Sequence, residues 1–153
     1  MDQERNQELG RELYVERVSA EAVLPTRAHA GDAGLDLYAL ETFTLAPQEG
    51  RVSRTGIAVA LAEGTVGMIC DRSSMAKRGV KIAGGIVDAG YRGEIHVVLW
   101  NLSQAPVQVL AGDRVAQMLV VPIQTPAPRA VESLAQVTAR TSRGENGFGS
   151  SGR

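Results

Sequence analysis

The sequence of 153 residues is poor in cysteine, in net charge and in long apolar runs, and each shortage removes a class of protein. Cys70 is the only cysteine, which excludes an internal disulfide and fits a reducing compartment. Sixteen Lys and Arg stand against seventeen Asp and Glu, a formal net charge of -1. No bulk field exists to hold nucleic acid or an acidic membrane, so any phosphate recognition must be local. No apolar run approaches spanning length, and the polar stretch from Met1 to Glu12 has no signal-peptide core, so a cytoplasmic location is expected. His29 and His96 lack metal-ligand spacing, and Cys70, with no nearby histidine, reads as a small hydrophobe rather than a nucleophile.

What is there is a one-domain length with 44% hydrophobic residues, enough to bury a core. Apolar residues recur at spacings near two: Val52, Ile57, Val59 and Leu61; Val66, Met68 and Cys70; Ile95, Val97 and Leu99. Arg114 to Ile123 is a longer, mostly apolar run. Glycine and proline punctuate these runs so often that an ordinary helix has no room. The pattern predicts an all-β, jelly-roll-like fold with at most one short helix near Ser74 to Arg78 and a flexible C-terminal tail. No internal repeat is present. The expected organisation is a loose arm over residues 1–12, a β core over 13–124, an extended linker and crossing strand over 125–142, and a Gly/Ser-rich lid over 143–153.

Polar groups gather in three places. Asp71-Arg72-Ser73-Ser74-Met75-Ala76-Lys77-Arg78-Gly79 combines an arginine, two hydroxyls and a helix start, suited to an oxyanion; the alternative is a capped surface helix. Gly84 to Glu94 reads as a hairpin with its tip at Asp88-Ala89-Gly90, where an aspartate equally serves a turn. The tail from Arg143 to Arg153 carries two arginines, hydroxyls, free backbone N–H groups and Phe148: either the parts of a phosphate clamp with a stacking ring, or a frayed terminus.

Five motifs in order resemble the trimeric deoxyuridine triphosphate nucleotidohydrolases, the dUTPase family. They are Ala33-Gly34-Leu35-Asp36-Leu37-Tyr38-Ala39; Arg72-Ser73-Ser74-Met75-Ala76; Gly85-Ile86-Val87-Asp88-Ala89-Gly90-Tyr91-Arg92-Gly93-Glu94; Gly112-Asp113-Arg114-Val115-Ala116-Gln117; and the tail from Arg143-Gly144 to Gly152. The resemblance implies a jelly-roll subunit, a homotrimer with active sites at subunit interfaces, and Mg2+-assisted hydrolysis of dUTP to dUMP and pyrophosphate. That reaction keeps uracil out of DNA and supplies dUMP for dTMP synthesis.

Carried over, Asp88 would activate the attacking water and Arg143 would clamp the triphosphate. Tyr91 would pack on the deoxyribose, and Gly85 and Ile86 would read the uracil edge. Arg72, Ser73, Ser74 and Gln117 would hold phosphates, and Asp36 would support the magnesium indirectly, through water. Phe148 would cover the uracil, with Gly149, Ser150 and Ser151 at the terminal phosphate. Mg2+ prefers oxygen ligands and keeps its waters, so a triphosphate can bring it with few protein ligands.

Three positions depart from the resembled pattern: Asp71 where proline is common, Ser74 where glycine is, and Gly90 where an aspartate often precedes the tyrosine. Two other functions compete. A dCTP deaminase, or a bifunctional deaminase/dUTPase, of the same fold would use a glutamate such as Glu94 as proton shuttle. A non-catalytic nucleotide sensor would use the same pocket for regulation.

Overall fold

The computed structural model describes residues 12–142 and Gly144. Among them eleven short strands are joined by turns: β1 Tyr14–Arg17, β2 Leu35–Tyr38, β3 Phe43–Leu45, β4 Gly50–Arg54, β5 Ile57–Ala60, β6 Thr65–Cys70, β7 Val80–Ala83, β8 Ile86–Asp88, β9 His96–Asn101, β10 Val107–Val109 and β11 Arg114–Pro122. One α-helix, α1 (Ser73–Lys77), and one 3-10 turn (Leu134–Gln136) are the helical elements. This is the predicted all-β, jelly-roll-like architecture with its single short helix.

All paired strands run antiparallel. The largest sheet has the order β2-β11-β6-β8, a second has β4-β9-β7, and two-stranded ladders join β1 to β5 and β10 to β3. Period-two alternation explains why the ladders close over one core. In β9, Val97, Leu99 and Asn101 are fully buried, while His96 and Trp100 point outward. Leu37, Leu45, Ile57, Ile95, Val109, Val115 and Met118 complete the centre. Each such side chain stabilises the fold by about 1.5–3 kcal/mol when removed from water. Asn101 is the one fully buried side-chain amide among the described residues. Its Nδ2 donates to the carbonyls of Leu45, Ala46 and Ala105, and its Oδ1 accepts from Ser103, so the polar group is satisfied.

A shift in β11 matters for the site. Arg114 pairs with Tyr38 and Ala116 with Leu37, so two residues of β11 oppose one of β2. This bulge turns both Val115 and Ala116 into the core. It also brings Arg114 and Gln117, three apart in sequence, to the same face as Asp36 and Tyr38.

The segment over 125–142, expected as an extended linker and crossing strand, joins no sheet of its own chain. It has no strand; the 3-10 turn Leu134–Gln136, capped by the Ser133 hydroxyl, is its only regular structure, and all its residues are exposed. Within one chain no sheet edge is paired with it, so the residues expected to form a crossing strand have no ladder to join.

Candidate active site

The outer face of the β2-β11-β6-β8 sheet carries a row formed by Asp36, Gln117 and Cys70, paired side by side. Next to the row, β6 ends and α1 begins. A helix of five residues is below the length that holds itself in water. Met75 buries against the core, Arg78 donates to the Gln108 carbonyl at 2.9 Å, and Arg72 occupies the N-cap position without a side-chain cap. These anchors present Arg72, Ser73 and Ser74 over the sheet.

Asp36 is the centre of this region. Only 9% exposed, it accepts from Arg72 Nε at 2.7 Å on one oxygen and from Arg114 Nη1 at 3.5 Å on the other. Arg72 Nη1 reaches the Ser74 hydroxyl at 3.2 Å and the Arg114 carbonyl at 3.4 Å. Gln117 donates from Nε2 to the Asp71 carbonyl at 2.8 Å. The amide lies directly over Gly34: a Cβ there would meet Gln117 Oε1 at 2.0 Å, so glycine is what admits it. Ala28, Asp32, Ala33, Gly34, Asp36, Arg72, Ser73, Ser74 and Gln117 together line an open cleft of about 530 Å³. The Arg72 guanidinium, with that of Arg114 beside the cleft on Asp36, two hydroxyls and a carboxamide suit an anion with several oxygens.

The Gly85–Glu94 hairpin forms a second region. Gly85 has φ +106, and a Cβ on it would stand 2.7 Å from the Ile69 carbonyl, whose own N–H bonds the Gly85 carbonyl at 2.7 Å. Glycine is required there twice over. The turn closes through Tyr91 N–H to the Asp88 carbonyl at 3.0 Å. The Tyr91 ring folds across Gly93, where a Cβ would meet its hydroxyl at 2.4 Å, and that hydroxyl donates to the Glu94 carbonyl at 3.0 Å. Asp88 is exposed, and among the described residues no donor engages its carboxylate. Ile86 lies 65% exposed beside it.

Glu94 is fully occupied. Arg54 donates to both its oxygens, the Gly56 N–H adds a bond at 2.8 Å, and His96 stands at 3.6 Å. Burial raises its carboxyl pKa, but the Arg54 fork, the Gly56 N–H and the charges of Arg54 and His96 outweigh it and hold it below the usual glutamate range. A clasped, ionised carboxylate is a poor proton shuttle, which weighs against the deaminase reading.

The two regions share a sheet face but are far apart in one chain. Asp88 pairs with Val66 and Gln117 with Cys70, four residues away along β6. At the rise of a strand that is about 13 Å. Arg72, Ser73, Ser74, Gln117 and Asp36 therefore come together; Gly85, Ile86, Asp88 and Tyr91 form the other group. Arg143, Phe148, Gly149, Ser150 and Ser151 lie outside the described residues. Arg114 is the site residue that the sequence pattern did not single out. Its presence beside an odd-spaced Gln117 was the available signal, and only the bulge turns that spacing into a shared face. Cys70 is half-buried, and Trp100 lies over Gly50 on the outside rather than in the core.

Among the described residues no group of three or more His, Cys, Asp and Glu side chains could hold a metal ion. The cleft carboxylates have partners already: Asp36 accepts from both arginines, and Asp32 accepts the His29 N–H at 2.9 Å. Such a donor set fits Mg2+ as an ion that keeps its waters and is ligated chiefly by the oxygens of a bound anion.

A family model described as dUTPase matches residues 20–152. The deoxyuridine 5'-triphosphate nucleotidohydrolase of Mycolicibacterium vanbaalenii is 48% identical over 145 residues, covering 92% of this chain and 94% of that protein. The enzyme of that name from Clostridium novyi is 42% identical over 143 residues, covering 92% and 98%. Among solved structures, the Staphylococcus bacteriophage 80alpha dUTPase with dUpNHpp superposes with a TM-score of 0.86 at 32% identity, covering 93% of this chain and 99% of that one. A dUTPase from phage phi11 of S. aureus, described as coordinating a structural Mg(II) ion, superposes with a TM-score of 0.75 at 32% identity, covering 80% and 97%. Sequence, fold and ordered motifs agree: the chain belongs to the dUTPase family.

Proposed function

We propose that the protein is a dUTP diphosphatase that hydrolyses dUTP to dUMP and pyrophosphate. It acts in the cytoplasm as a homotrimer with sites at subunit interfaces, clearing dUTP before it enters DNA and supplying dUMP for dTMP synthesis. Family membership supports the reading. The observation that carries it is the cleft of Asp36, Arg72, Ser73, Ser74 and Gln117: a donor-lined anion site whose carboxylates, Asp36 and Asp32, are already engaged by hydrogen bonds. The base-bearing hairpin sits about 13 Å away along the same sheet face, so one chain offers both halves of a site but not their junction. A neighbouring copy would bring its Asp88 to this chain's cleft.

In that junction Arg72, Ser73, Ser74 and the second Gln117 N–H donate to phosphate oxygens, while Asp36 keeps the Arg72 guanidinium oriented. Asp88, exposed and without a donor on its carboxylate, aligns a water and takes its proton as oxygen attacks the α-phosphorus. The bond from that phosphorus to the bridging oxygen breaks, and pyrophosphate leaves. Tyr91, pinned through its hydroxyl and laid over Gly93, forms a fixed wall against the deoxyribose that a 2′-hydroxyl would strike. The backbone at Gly85 and Ile86 reads the uracil edge. Arg143 clamps the triphosphate, Phe148 covers the base, and Gly149, Ser150 and Ser151 close on the terminal phosphate. Bound Mg2+ supplies charge neutralisation at the phosphate oxygens.

Pyrophosphate release from dUTP, dTTP, dCTP and UTP, with and without Mg2+, tests this. Release from dUTP, dependent on Mg2+ and strongly reduced with UTP, is the expected result. No release from dUTP rejects the enzyme, equal turnover of UTP rejects the role of Tyr91, and ammonia from dCTP reinstates the deaminase.

A further inference from the structure

Arg72 stands two residues past the end of β6, and Ser73 opens a helix too short to hold itself. Something must fix the base of this loop. Asp71 occupies that point. Its Oδ1 accepts the Ile82 N–H at 2.8 Å, and its Oδ2 pairs with the Lys81 ammonium, so the carboxylate closes the loop across α1 onto β7. Its carbonyl meanwhile accepts Gln117 Nε2 at 2.8 Å. One residue thus touches both sides of the cleft: by covalent connection to Arg72, and by hydrogen bond to Gln117. The Asp71 side chain is 24% exposed and that of Lys81 53%, so the bond from the part-buried Ile82 N–H is the better shielded of the two.

We propose that Asp71 is a positioning residue for the triphosphate: by clasping β7 it holds Arg72, Ser73 and the Gln117 amide in the single arrangement that receives phosphate oxygens. The proposal rests on the functional reading above. Asp71 touches neither the base nor the sugar hairpin, so its effect belongs to the phosphates beyond the first. A contact that only stabilised the domain would loosen every ligand alike.

The test compares binding of dUpNHpp and dUMP, both with Mg2+, to the full-length protein and to Asp71→Ala, Asp71→Asn and Lys81→Met. In Asp71→Ala, dUpNHpp affinity falls about tenfold, as for loss of one charge-assisted hydrogen bond, while dUMP affinity stays within about twofold. With dUTP the loss appears in KM rather than kcat. Asp71→Asn, whose amide oxygen still accepts the Ile82 N–H, recovers most of the affinity, and Lys81→Met falls between it and Asp71→Ala. An unchanged ratio of the two affinities in a folded Asp71→Ala, or an equal fall in both, overturns the proposal. Should Asp71→Ala not fold, the decision passes to Asp71→Asn combined with Lys81→Met: a selective loss of dUpNHpp affinity supports the clasp, and an unmoved ratio defeats it. Wild-type protein that binds neither ligand defeats the functional reading and this one with it. Wild type that prefers dUpNHpp, with unmoved variants, defeats the role of Asp71 alone.

Discussion

At the scale of single residues, carboxylates with different surroundings divide the work. Asp88 is exposed, and among the described residues no donor holds its carboxylate. Replacing it by asparagine keeps shape and removes basicity: Asp88→Asn should lose about a thousandfold or more in kcat while retaining dUpNHpp binding. Normal hydrolysis by that variant would remove Asp88 from the chemistry. Glu94 is the opposite case, clasped by Arg54 and the Gly56 N–H. Because its folded carboxyl sits below its unfolded value, the stability it contributes is complete above the ordinary glutamate range and lost as pH falls through the folded pKa. The thermal midpoint should therefore drop more steeply below about pH 4.5 in wild type than in Glu94→Gln. Parallel curves would show that the clasp contributes nothing to acid stability.

At the scale of elements, strand alternation and glycine punctuation make the β architecture and the position of α1 legible in the sequence. Val97 and Leu99 face inward as their spacing predicts. What alternation could not show was the bulge in β11, because a strict period of two sets Arg114 and Gln117 on opposite faces. Nor could it show that Gly34 and Gly93 are bare so that Gln117 and Tyr91 can lie over them, since such needs arise from chain segments distant in pairing or folded back in a turn. The crossing strand expected within 125–142 needs a partner strand, and no sheet of its own chain pairs with it. The same segment makes a clean test of the tail. Residues 124–142 are all exposed and the last buried residue of β11 is Met118, so truncation after Arg140 removes no core contact among the described residues. Far-UV dichroism and thermal midpoint should stay close to wild type while dUTP hydrolysis falls by most of its value. A truncated chain with full activity would exclude the tail from the site.

At the scale of the whole molecule, the proposed function requires a second copy to join the two separated regions. The outer sheet face between them carries Met68 and Ile86 exposed on the Asp88 side. If neighbouring chains complete each other's sites, Asp88→Asn and Arg72→Ala protomers are each inactive alone but complementary when mixed. Co-refolded in equal amounts, they should regain about a quarter of wild-type activity, the fraction of junctions that pair two intact halves. Two inactive parents that stay inactive when their exchange is verified by mass would place both halves of each site in one chain.

The bulge in β11 also has a meaning for how chains of this kind can vary in length. Val115 is the residue in excess, so a chain that lacks it can keep a regular ladder with arginine still opposite Tyr38 and glutamine still opposite Asp36. Arginine and glutamine would then be two apart instead of three, and both would still face the cleft. A gap of one residue at this point is neutral for the anion site and costs only one buried valine. A gap of one beyond the bulge, at Gln117 or Met118, instead removes the glutamine or slides it opposite Leu35 and onto the core face.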